Sequence, residues 1–173
     1  MLVKTIIILT ATFSIGNFAS AAEVSDKDYR LARSAKLQAE QIPALLTHPS
    51  VDVREALAQN RRVKSENLFL LASDTSQRVK IAVATNLSTD LKTFKKLARD
   101  NDISVKSVVA RFEFVPAEIL ALLSTDRSAE IRLEVARNLN TSKSTLKGLL
   151  NDSDPDVKAV ASQGLQRLAE EQN

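Results

Sequence analysis

The chain has 173 residues, a formal net charge of +3, 3 Gly, one His (His48), and neither Cys nor Trp. Without cysteine there is no disulfide, thiol nucleophile, thiolate zinc site or iron–sulfur ligand set, and a lone histidine cannot build a two-histidine metal site. Gly16, Gly148 and Gly164 stand too far apart for a phosphate-cradling loop or a dinucleotide fingerprint, and so small a net charge does not point to nucleic acid.

The chain opens Met1-Leu2-Val3-Lys4 and then runs apolar from Thr5 to about Phe18, ending in Ala19-Ser20-Ala21. A cation, a short apolar run and small residues at the −3 and −1 positions predict a secretory signal peptide over 1–21, cleaved after Ala21 or after Ala22. A run of about 14 residues is shorter than the roughly 20 a membrane-spanning helix needs. The expectation is export to the bacterial periplasm, with the extracellular space second. An exported chain without cysteine must draw its stability from its core.

From Pro49 the sequence repeats every 26 residues: 49–74, 75–100, 101–126, 127–152, and a partial unit 153–173. One apolar column reads Val53, Val79, Val105, Ile131, Val157, and a basic column beside it reads Arg54, Lys80, Lys106, Arg132, Lys158. An alanine column follows at Ala58, Ala84, Ala110 and Ala136. Two more apolar columns read Leu68, Phe94, Leu120, Leu146 and Leu71, Leu97, Leu123, Leu149, and each full unit ends on Asp74, Asp100, Asp126 or Asp152. Residues 22–48 fit weakly, with Asp28 where a cation stands later and His48 where the terminal acid stands, as expected of an N-terminal capping repeat.

Within a unit the spacing predicts two short helices. Ser or Asp in the second column (Ser50, Ser76, Asp102, Ser128, Asp154) is a helix N-cap type. Apolar residues at i and i+4 line one face of a first helix. Asn60, Asn86, Asn138 and Gly164 are expected as left-handed stops, and a second helix starts near Thr89, Pro116 or Thr141. Helices of about 8–10 residues are unstable alone, so stacking must supply the core. The predicted fold class is all-α, an α-solenoid of about five two-helix repeats behind a degenerate cap.

Asp126-Arg-Ser-Ala-Glu-Ile-Arg-Leu-Glu-Val-Ala-Arg-Asn and Asp152-Ser-Asp-Pro-Asp-Val-Lys-Ala-Val-Ala resemble the leucine-rich repeat variant, and also look like short HEAT repeats. The resemblance covers about 49–170. It implies a right-handed superhelix that pairs an α-helix with a shorter helical segment in each unit. Phe112, in place of the asparagine, departs from the pattern, as does the lack of any cysteine-ligated cluster domain.

The acids and cations six residues apart (Asp74 and Lys80, Asp100 and Lys106, Asp126 and Arg132, Asp152 and Lys158) are expected to form a structural ladder within and between units. A ladder for a polyanion is the competing reading. A second basic set, Lys92, Lys95, Lys96 and Arg99, falls on one face of a short helix, where it is either an ordinary solvated face or a site for an acidic partner. Phe69, Phe112 and Phe114 break the repeat pattern, and large aromatics at such positions either fill gaps between repeats or serve as interface anchors.

With the acids spoken for, no catalytic, cofactor-binding or metal residues are assigned. The expected function is a non-enzymatic scaffold for a protein or peptide, with a groove formed mainly by the second helices. The alternative is an envelope-associated module that binds an anionic cell-wall polymer or membrane surface through Lys92–Arg99. The expected state is a monomer, with no nucleic acid and at most peripheral membrane contact.

Overall fold

The computed structural model describes residues 26–170, so the expected signal segment lies outside the described residues. Every regular element described is helical. A helical stretch over 26–32 (α1) and a 3₁₀ turn at Ala39–Gln41 lead into α2 (Ile42–Leu46). Pairs follow: α3 (Val51–Gln59) and α4 (Ser65–Leu71), α5 (Gln77–Ala84) and α6 (Leu91–Leu97), α7 (Ile103–Arg111) and α8 (Ala117–Leu123), α9 (Ala129–Arg137) and α10 (Lys143–Leu149). A long α11 (Pro155–Glu170) closes the chain.

The repeat columns are the core. Val53 and Leu57, Val79 and Val83, Val105 and Val109, Ile131 and Val135, and Val157 and Ala161 are all fully buried. So are the leucine columns of the second helices, with Phe94 in one of them. Each such side chain contributes about 1.5–3 kcal/mol when removed from water, more than a seven-residue helix gains from its own backbone bonds. The alanine column is buried as well, at Ala58, Ala84, Ala110 and Ala136. These small residues let successive first helices lie close together along their length, whereas successive second helices touch sparingly.

Three expectations about local geometry are overturned. Asn60 and Asn138 hold extended backbone (φ −75° and −68°), and no described residue has positive φ, so the asparagines are not left-handed stops. Gly164 does not stop a helix either: it sits inside α11, where an added Cβ would come within 3.1 Å of a Leu146 methyl. The glycine permits close approach there, and α11 packs on both α9 and α10 and covers the end of the core with Val160, Leu165 and Leu168. Among the column-two residues, Asp102 and Asp154 accept from the backbone N–H of Ser104 and Asp156 at 2.9 Å, whereas Ser50, Ser76 and Ser128 make no side-chain cap bond.

The N-terminal cap keeps the register with the carboxylate and its partner exchanged. Asp28, in the cation column, meets His48, in the acid column, at 3.3 Å. His48 Nδ1 accepts the Ser50 N–H at 3.1 Å, as Asp74 Oδ1 accepts that of Ser76 at 2.8 Å.

Candidate functional site

Two edges run along the stack, one at each set of turns. At the edge where a second helix hands over to the next first helix stands the ladder. Each cation bonds the aspartate twenty residues further on: Arg54 to Asp74 at 2.6 and 3.0 Å, Lys80 to Asp100 at 2.8 and 2.7 Å, Lys106 to Asp126 at 2.6 Å, and Arg132 to Asp152 at 2.6 and 2.8 Å. No direct bond joins the six-residue pairs anticipated from the sequence. Arg132 instead reaches back to the Asp126 carbonyl at 2.9 Å. Lys158 is exposed.

Each aspartate also accepts a backbone N–H two residues on, from Ser76, Asp102, Ser128 or Asp154. For Asp152 the Arg132 hydrogen bond is the main cause of a pKa held below the ordinary 3.8. At Asp74 and Asp126 burial pushes upward. It is outweighed by the bond from Arg54 or Lys106, by the backbone N–H, and by the charges of those cations and of Lys80 or Arg132. With Arg54, Lys80, Lys106 and Arg132 each bonded to an aspartate, these four cations are engaged within the stack rather than offered to a polyanion.

The second basic set is also engaged. Lys92 and Lys96 place their ammonium groups 4.1 and 4.3 Å from the centre of the Phe69 ring, across the gap between α4 and α6. Lys96 also donates to the Phe69 carbonyl and the Ser73 hydroxyl, at the C-terminal end of α4 where a cation is favoured. Lys95 pairs with Glu118 of α8 at 2.5 Å. Arg99, exposed, alone of the four makes neither an ion pair nor a ring contact among the described residues.

The opposite edge, where each first helix turns into its second, carries a feature the sequence reading missed. Asn86 Nδ2 donates to the Ala58 carbonyl at 2.6 Å and the Asn60 carbonyl at 3.2 Å. Asn138 does the same to Ala110 and Phe112 at 2.7 and 3.1 Å, and Asn60 to Ala32 and Ser34 at 2.7 and 3.1 Å. Each Oδ1 accepts the backbone N–H two residues on. The amide thus closes a helix end one repeat back, always 28 residues away. The recurrence of Asn two residues after Ala was the available signal.

Phe112 occupies this column in the third unit. Its ring lies 6.1 Å from that of Phe94 and 5.6 Å from that of Phe114, edge-on in the second case. Beside it Thr85, Val108, Arg111 and Glu113 border a shallow recess of about 480 Å³. Leu87, Phe114 and Leu139, in three successive turns of this edge, are 52%, 59% and 71% exposed. The structure therefore brings Phe112 together with Phe114, and Phe69 with Lys92 and Lys96, as two separate groups.

Among the described residues no cluster of His, Asp or Glu could hold a metal, and no helix is long and apolar enough to cross a membrane. Stacked two-helix units with shared columns, closed by covered ends, define an α-solenoid. Its fold is that of a leucine-rich-repeat-variant-like helical repeat: a solved leucine-rich repeat variant with a novel repetitive structural motif superposes with a TM-score of 0.62 at 26% identity, over 87% of this chain. The chain spans 61% of that protein's length. No protein-family model and no curated protein matches the sequence.

Proposed function

We propose that the protein is an exported, non-enzymatic helical-repeat scaffold that binds a protein or peptide in the bacterial periplasm. The observation that carries this reading is the division of labour on the surface. The ladder carboxylates and His48 are engaged in the stack, while Leu87, Phe114 and Leu139 stand in water along one edge. Ladder aspartates are paired and turn-bonded, and His48 is held between Asp28 and Ser50, so these groups are engaged in structure rather than free for acid–base work. Leu87, Phe114 and Leu139, by contrast, have no internal use for their exposed surface, and exposed apolar groups in sequence along a rigid edge mark an interaction surface. The alternative, an anionic polymer gripped through Lys92–Arg99, loses its support where Lys92, Lys95 and Lys96 serve contacts between repeats.

Crosslinking mass spectrometry in the native host tests the scaffold reading, with crosslinks from residues 86–140 to a second protein as the expected outcome. Sequencing the mature N-terminus after cell fractionation tests export. A chain beginning at Ala22 or Glu23 in the periplasmic fraction is expected; an intact Met1 in the cytoplasm contradicts it.

A further inference from the structure

The turn edge that carries the asparagines is not uniform along its length. Its N-terminal part presents Arg61, Arg62 and Lys64, all exposed and none in an ion pair among the described residues. Its C-terminal part presents Leu87, Phe114 and Leu139. The two parts are continuous. The Asn86 amide and the Ser88 hydroxyl bond the carbonyls of Asn60 and Arg61, and Phe112 rests on Phe94. We propose that this edge is a docking strip for one extended peptide segment of a partner protein, with carboxylates at one end over Arg61, Arg62 and Lys64 and apolar side chains at the other over Leu87, Phe114 and Leu139. The inference rests on the scaffold reading and adds the chemistry of the partner.

Three features select that occupant. The first is charge: Arg61, Arg62 and Lys64 are three exposed cations close together with no ion pair among the described residues, and they attract carboxylates at that end. The second is rigidity. Amide bonds tie the turn at 86 to that at 60 and the turn at 138 to that at 112, so a partner meets a largely preorganised surface and ordering costs fall on one side. The third is the recess beside Phe112, open where an asparagine would otherwise tie the turns, which offers a place for one apolar side chain.

Other occupants fit less well. An anionic membrane is disfavoured because Asp90 and Glu113, both exposed, share turns with Leu87 and Phe114. A second copy is disfavoured by symmetry, since a two-fold pairing of the strip sets either cations on cations or cations on leucines. Three intervals between stacked helices, at about 8–10 Å each, give the strip a length of roughly 25–30 Å. About eight or nine extended residues cover that span.

The test uses labelled synthetic peptides and fluorescence anisotropy on the full chain. Two probes carry Asp and Glu in one half and Leu and Phe in the other, in the two possible orders. A third has the same composition with the types alternated. The expected result is that one block probe binds at least tenfold tighter than the alternated one and weakens as salt rises. Phe114→Asp with Leu139→Asp, and separately Arg61→Glu with Arg62→Glu, should each cost tenfold or more in affinity at an unchanged melting temperature. Equal binding of the alternated probe, no binding of any probe, or binding indifferent to both pairs of substitutions overturns the proposal. Sedimentation with phosphatidylglycerol vesicles that the same substitutions abolish overturns it in favour of a membrane. A partner crosslinked to another face in the host would remove the strip while leaving the scaffold reading intact.

Discussion

The joint between the first and second repeats and the joint between the second and third are built from the same columns and closed differently. At the first, Asn86 reaches back with one amide to two carbonyls, those of Ala58 and Asn60. At the second, Phe112 stands in the same column with no amide to offer to Ala84 or Asn86, and its ring lies against Phe94 and Phe114. The apolar columns pass through both joints unchanged, and each repeat beside them carries its own cation–aspartate rung. The difference teaches that stacking needs apolar burial at every joint but a directional bond at only some. Where the bond is given up, the turn gains an aromatic surface and an opening beside it.

The strongest way to break the comparison is to remove the amide where it works. Asn86 and Asn138 are 4% and 7% exposed. Alanine at either strands two carbonyls and a backbone N–H, at a cost of about 2–3 kcal/mol. Urea unfolding of Asn86→Ala and Asn138→Ala measures it. Overfilling the joint between α5 and α7 should come next. Ala84→Leu forces extra methyl groups between helices that touch along their length and should destabilise by about 1–3 kcal/mol, read as a lower urea midpoint.

The ladder offers a test that leaves both joints apolar and complete. Asp74, Asp126 and Asp152 have folded-state pKa values below the ordinary 3.8, so the unfolded chain takes up their protons first as pH falls. Their stabilisation is present above about pH 4 and is lost as pH drops through the folded-state values. Arg132→Met removes the main support of one aspartate, and its melting temperature should fall less steeply between pH 4 and pH 2 than that of the parent chain. An identical acid limb would show that this rung does not contribute.

Smaller in effect, and sharper, is the exchange of one joint type for the other. Phe112→Asn deletes a half-buried ring but supplies an amide in the right column, whereas Phe112→Ala only deletes. The asparagine variant should be more stable than the alanine variant by about 1 kcal/mol, the net value of a hydrogen bond. Gly148→Ala is the quiet control. Nothing lies within 4 Å of its added Cβ, so replacing an exposed glycine inside α10 should stabilise by about 0.5–1 kcal/mol.

Much of the fold was legible because repetition averages out local ambiguity. The alanine and leucine columns recur at one period, and a residue that recurs on one helix face is buried. The ladder members were legible too, but their bonding was not. A separation of six residues is conspicuous in the sequence, while the bond is made over twenty, between a helix start and the far end of the following helix. Asparagine misled for a related reason. Asn after a helix commonly reads as a left-handed cap, a local role, whereas here its amide acts on the previous repeat. Gly164 was misread the same way, since close approach to Leu146 is a property of the stacked pair and not of the segment. The basic face at Lys92–Arg99 looked free because the ring it packs on, Phe69, comes from the repeat before it.

The side-chain amides themselves report most directly on whether the asparagines close the joints. In the folded protein, hydrogen exchange followed by NMR distinguishes buried carboxamide protons from those in water. The Nδ2 protons of Asn86 and Asn138 should exchange far more slowly than those of Asn101 and Asn151, which are exposed, and should do so only through opening of the stack. Exchange of all four at the same fast rate would contradict the account.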